Sequence, residues 1–138
     1  MNKVRKFPLP ANPDSSGYGL GILTDECDYR VCWLLNQTFH WNLTKTDDLL
    51  ITLRNNPVAQ SFSCFVNPAD QLLTVKLISN HSHEGIWLTE PKQIDFLLII
   101  TGQATADTST HELKATITSK IPQIRGLFNL PLTSFCYL

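Results

Sequence analysis

A chain of 138 residues with 43% hydrophobic and 17% charged side chains is long enough to bury a core of its own without disulfides or a structural metal. Eleven Lys and Arg against twelve Asp and Glu give a formal charge of −1, so the basic surface that phosphate backbones demand is missing from the composition. Lys3, Arg5 and Lys6 run into Pro8, Pro10 and Pro13 instead of an apolar stretch, and the longest apolar run, Phe96 to Ile100, falls far short of the roughly 18–20 residues of a spanning helix, so neither a signal peptide nor a membrane span is expected.

Residues 1–17, with their three prolines and a Ser15-Ser16-Gly17 turn cluster, read as an extended arm, and 18–138 as a single domain. Tyr18 to Leu23 is a short strand. Thr24 and Asp25 then offer capping oxygens before a helix that runs to about Phe39, with Glu26 and Arg30 as an i,i+4 pair. This helix is apolar on two sides: Cys27, Val31, Leu34 and Leu35 form one, and Tyr29, Cys32, Trp33 and Phe39 the flank. An ordinary surface helix shows one stripe. The second is either buried between layers or meets another subunit, which makes Tyr29, Cys32 and Trp33 candidate interface residues.

Leu49 to Leu53 suggests a strand that Asn55-Asn56-Pro57 breaks. Gln60 to Val66 alternates, with Phe62, Cys64 and Val66 on one side, and Leu73, Val75 and Leu77 do the same beyond Asn67-Pro68-Ala69-Asp70. Asn first and Pro second is type I turn chemistry, so the two form a hairpin whose Thr74 and Lys76 face sees water. Asn80 to Gly85 is turn-like and Ile86 to Leu88 a short strand. Ile94 to Thr101 is apolar on both sides and belongs at the centre of a sheet.

Ser109-Thr110-His111-Glu112 is a capping box, Leu113, Ile117 and Ile121 follow at i,i+4 spacing, and Pro122 ends the helix. Ile124 to Leu130 is the last strand. The pattern is an α+β fold with a mostly antiparallel sheet of about five to six strands and two helices packed on one face, a ferredoxin-like arrangement of split βαβ units being one way to connect them.

Four constellations could carry chemistry. Asp25, Glu26 and Asp28 offer oxygens to a hard cation, although acids at a helix start are stabilised by the helix dipole in any case. His81, His83 and Glu84 are zinc-ligand types, yet no third His or Cys recurs at ligand spacing, and a solvated turn is the plainer reading. Glu90 and Asp95 flank Pro91-Lys92-Gln93 before the central strand, where two carboxylates could act as acid and base or merely cap it. Cys27, Cys32, Cys64 and Cys136 lack CxxC or framework spacing and are expected to stay thiols in the cytoplasm. No phosphate-cradling glycine loop, dinucleotide fingerprint or nucleophile elbow occurs, so no metal or cofactor is assigned.

The segment Leu88-Thr89-Glu90-Pro91-Lys92-Gln93-Ile94-Asp95-Phe96 resembles the defining motif of the bacterial IPExxxVDY family. Glu90 and Asp95 agree with it, Ile94 and Phe96 are conservative, and Leu88 and Thr89 stand where the family has Ile and Pro. Asp28 to Asn36 and Leu77 to Asn80 are similar to further family segments. The resemblance implies a small cytoplasmic protein of Bacteroidetes-type bacteria; it implies no activity and brings no catalytic residues.

The expectation is therefore a non-enzymatic interaction module that pairs with itself, forming a homodimer through α-helical Tyr29, Cys32 and Trp33. One rival is a metal-assisted or acid-base enzyme using Glu90 and Asp95 or the Asp25, Glu26 and Asp28 cluster. Another is an RNA-binding module, for which Phe65 beside Lys76 is the sole hint.

Overall fold

The computed structural model of the chain describes residues 17–52, 58–67, 74–82, 85–87, 94–101 and 110–130. Within them the order is β1 (Gly17–Thr24), α1 (Asp28–Phe39), β2 (Thr44–Lys45), β3 (Leu49–Thr52), β4 (Ala59–Phe62), β5 (Cys64–Val66), β6 (Thr74–Ser79), β7 (Phe96–Thr101), α2 (Thr110–Lys120) and β8 (Ile124–Leu130). Six strands form one antiparallel sheet in the order β2-β5-β6-β7-β1-β8, while β3 and β4 pair as a separate ribbon.

The apolar run of β7 explains its place. Phe96 to Ile100 are all buried, which only a strand covered on both faces allows, and β7 lies between β6 and β1 as the sequence led us to expect. Since β7 and β8 each run antiparallel to β1, they are parallel to one another, and α2 is the crossover of a β-α-β unit split by β1. α1 joins β1 to β2, which is also parallel to it but separated from it by three strands, β7, β6 and β5. That separation is not the interleaving of a ferredoxin-like fold, in which one strand stands between the members of each unit.

Both helices cover the same face. Val31, Leu34 and Leu35 of α1 and Leu113 and Ile117 of α2, with Ile121 just beyond, join Leu20, Ile22, Phe65, Val75, Leu77, Leu98 and Ile100 in the larger core. Each such side chain contributes about 1.5–3 kcal/mol over its exposed state. The β3–β4 ribbon covers the opposite face, where Ile51 and Phe62 pack with Ile78, Leu97, Ile99 and Ile94. The result is three layers: helices, the six-stranded sheet and the ribbon.

Several elements differ from the sequence reading. α1 begins at Asp28, with Cys27 as an N-cap that makes no side-chain cap bond. Thr24 instead ends β1: its hydroxyl donates to the Gln123 carbonyl (2.7 Å) and accepts from the Glu26 N–H (3.2 Å), tying β1 to the approach to β8. Glu26 consequently precedes the helix, and Arg30 lies over the Trp33 ring, 4.9 Å from its centroid. The stretch from Gln60 to Val66 is two strands in different sheets, broken at Ser63. β5 and β6 do pair antiparallel, with Phe65 opposite Leu77, but Ile78 on their second face is buried under the ribbon. Ile86 makes only an isolated bridge with His81.

α2 ends at Lys120, just ahead of Pro122 as expected, with the Ile121 N–H still donating to the Ile117 carbonyl at 2.8 Å. Gly17 already belongs to β1, and the rest of the expected arm lies outside the described residues. So do Leu53, the 55–57 break, the turn at 68–70, Leu73, His83, Glu84, Leu88, Glu90, Ser109 and Cys136. Among the described residues no helix is long and apolar enough to cross a membrane.

Candidate functional site

The antiparallel pairing of β1 with β7 sets Ile22 opposite Phe96, so the exit of β1 and the entry of β7 share one end of the sheet. Asp95 stands there. Its N–H donates to the Ile22 carbonyl (2.8 Å), which fixes the backbone and aims the side chain at the β1 exit. One carboxylate oxygen accepts from the Thr24 N–H at 2.9 Å, and the other meets His81 Nε2 at 3.1 Å.

His81 arrives from the end of β6. Ser79 holds it, its hydroxyl donating to the His81 carbonyl (3.0 Å) and accepting from the His81 N–H (3.2 Å). Between them Asn80 is fully buried; its N–H donates to the Asp95 carbonyl (2.9 Å) and its side-chain amide to the Ile94 carbonyl (2.9 Å). A buried amide in an apolar surround is costly unless bonded in this way. Next along, the Ser82 N–H donates to the Gly85 carbonyl (2.8 Å) and its hydroxyl to Gln60 Oε1 (3.0 Å), closing the turn against the ribbon.

The motif residues within the described chain thus have legible tasks. Ile94 is buried against Gly21, Asp95 joins β1 to the turn after β6, and Phe96 lies in the helix-side core. The Asp95–His81 contact is of the acid-base kind, but the two side chains are 27% and 40% exposed, so water screens it. The pair ties the turn after β6 to the entry of β7 and the exit of β1.

The acids before α1 do not converge. Asp25 pairs with Arg125 on the surface (3.1 Å), whereas Asp28 accepts from the Ser63 hydroxyl (2.9 Å) with one oxygen and from the Tyr29 N–H (2.7 Å) with the other. Among the described residues no group of three His, Cys, Asp or Glu side chains is placed to hold a metal ion. Phe65 is buried beneath the edge of Tyr29, at 5.4 Å between rings, and offers no free face to a base.

Of the three candidate interface residues, Tyr29 and Trp33 stand on the surface, 64% and 51% exposed. Cys32 does not join them. It is buried in the helix-side core, its Sγ donating to the Leu43 carbonyl at 3.4 Å with the Asn36 amide 3.7 Å away. Burial, reinforced by the charge of Asp28 and only partly offset by the Asn36 bond, pushes its thiol above the ordinary value. Cys32 is therefore a packed, protonated thiol, whereas Cys27 is exposed.

Sequence reasoning had Asp95 but neither of its partners. Thr24 reads as a helix cap in sequence, and His81 is set apart by 14 residues; only the polarity of both positions hinted at a hydrogen-bonding role. No family model, curated protein or solved structure matches the chain.

Proposed function

We propose that the protein is a non-enzymatic interaction module that pairs with a second copy of itself through the outer face of α1. The observation that carries this is one helical turn, Tyr29, Arg30 and Trp33, in which two aromatic rings more than half exposed flank a guanidinium stacked on one of them. Tyr, Trp and Arg are the types that dominate binding energy at interfaces, the two rings because they offer a large contact at small cost in side-chain entropy and Arg because its planar guanidinium stacks and forms several hydrogen bonds. Tyr29 and Trp33 sit at i,i+4, so both project to the same side.

A second copy suits this patch for two reasons. A two-fold pairing would bring four rings together, about 400 Å² of aromatic surface at the centre of an interface of ordinary size. With a formal charge of −1, two copies repel one another little. The thiol of Cys32, being internal, takes no part. The reading extends to a cytoplasmic protein of the IPExxxVDY type, for which the support is the sequence resemblance around Ile94, Asp95 and Phe96.

Light scattering across a concentration series tests it. The wild-type chain is expected at twice its monomer mass, and Trp33→Asp is expected to weaken pairing by about thirtyfold or more with the thermal midpoint of the monomer retained. A wild-type chain that stays monomeric throughout overturns the proposal.

The acid-base reading uses Glu90 and Asp95, of which Glu90 lies outside the described residues. It requires a substrate-facing oxygen, and both oxygens of Asp95 are engaged, one by a backbone amide. The interaction module accounts for more of the surface.

A further inference from the structure

At the end of the sheet opposite Asp95, a cavity of about 250 Å³ opens between the two helices, walled by Tyr18, Phe39, Trp41, Ile100, Leu113 and Thr116. An apolar cavity of about 150 Å³ holds one benzene ring, so this one has room for a fused pair of rings. One wall is a pair of stacked rings, Phe39 on Trp41, 4.5 Å between centroids and 19° from parallel. Ile100 and Leu113, both buried, add aliphatic surface.

The polar groups around it are unequally engaged. The Thr116 hydroxyl donates to the Glu112 carbonyl at 3.0 Å, and Glu112 has an interaction of its own. The Tyr18 hydroxyl, by contrast, is buried and has no hydrogen-bond partner among the described residues. A hydroxyl in that state forgoes its hydration without compensation, a cost that an incoming hydrogen-bonding group removes. Burial, with the Glu112 charge adding to it, raises the Tyr18 phenol above its ordinary value, so it stays a neutral donor and acceptor at physiological pH.

We propose that this cavity binds a small neutral aromatic heterocycle that carries one N–H, of the size of indole. The fused rings pack on the Phe39–Trp41 wall and against Ile100 and Leu113. The N–H donates to the Tyr18 oxygen and gives that hydroxyl the partner it lacks. An ion would lose its hydration among rings and aliphatic groups, so the ligand is uncharged. This site is separate from the outer face of α1, and its occupation does not require a second copy.

Calorimetric titration of the full chain with indole and with indene, a ring system of the same shape that lacks the N–H, tests the proposal when paired with backbone amide and tryptophan side-chain NMR shifts. Indole is expected to bind saturably at millimolar concentration or below and to shift the Trp41 side-chain N–H and the first turn of α2. Tyr18→Phe deletes the unpartnered hydroxyl and is expected to raise the thermal midpoint of the free protein. In that variant the affinity for indole relative to indene is expected to fall about threefold to tenfold, the worth of one hydrogen bond. Absence of saturable indole binding, shifts confined to other parts of the molecule, or a relative affinity unchanged in Tyr18→Phe overturns it.

Discussion

The side chain of Ile94 occupies the space that a Cβ at Gly21 would need: a methyl group there would stand 2.8 Å from Ile94 Cδ1 and 2.9 Å from its Cγ2. Gly21 lies in β1 between Leu97 of β7 and Phe128 of β8, where neither neighbour leaves the strand room to move aside. Gly21→Ala is therefore expected to destabilise the fold by about 1–3 kcal/mol through overpacking. Because Ile94→Ala removes both clashing atoms, the double variant is expected to cost at least about 1 kcal/mol less than the sum of the singles in urea unfolding. Additive losses would mean that the two side chains do not compete for this space.

The tether at Asp95 divides into two unequal bonds. Asp95→Ala leaves the Thr24 N–H, in a residue only 4% exposed, without its acceptor, and is expected to cost about 1–3 kcal/mol. His81→Ala removes a half-exposed contact and is expected to cost less than about 1 kcal/mol. Chemical denaturation of both variants checks the order, and a larger loss for His81→Ala would assign the tether to the ion pair.

How far the sequence reveals this architecture depends on where the information is local. The limits of α2 and β8 are legible because Leu113, Ile117 and Ile121 keep a helical period up to Pro122, and an apolar strand follows. β7 is legible because only a central strand tolerates apolar residues on both faces. The switch between β4 and β5 is hidden: Gln60, Phe62 and Cys64 keep one alternation across Ser63, and no local feature tells which sheet each half joins. For α1, about 100° per residue separates Val31 from Cys32, so the buried arc from Leu34 to Cys32 is wide enough to take in the thiol while Tyr29 and Trp33 stay opposite. The Asp95 site was half legible, since its acid is in a recognisable segment but its partners reach it only through the pairing of β1, β6 and β7.

The buried Cys32 thiol sets an alkaline limit. Its folded pKa lies above the ordinary value of 9.0, so its ionisation is easier in the unfolded chain. The stability it contributes is fully present below that ordinary value and is lost as pH rises from there through the folded pKa. Tyr18, raised for the same reason of burial, adds a loss that begins above 10.0. Thermal midpoints of the wild type are expected to fall above pH 9, and Cys32→Ala, although less stable at neutral pH, is expected to show a shallower alkaline decline. An unchanged slope would show that the thiol titrates alike in both states. Thiol labelling gives a second reading: Cys27 is expected to react quickly and Cys32 at the rate of unfolding.

The last turn of α1 closes on His40, which holds φ 60° and ψ 34°, the left-handed conformation that glycine commonly supplies at this position. That reversal also folds the chain so that Phe39 and Trp41, on either side of it, stack into the wall of the cavity. A Cβ in this conformation costs about 1–2 kcal/mol, against about 0.5–1 kcal/mol for the extra freedom of an unfolded glycine. His40→Gly is accordingly expected to stabilise the protein by about 0.5 kcal/mol and leave the ring stack in place. His40→Val, whose branched side chain resists the left-handed region more strongly, is expected to destabilise it by about 1 kcal/mol or more. Unfolding curves read the energies, and the Trp41 indole N–H shift reads the stack. A loss of stability in His40→Gly would mean that the imidazole makes a contact of its own that outweighs the backbone term.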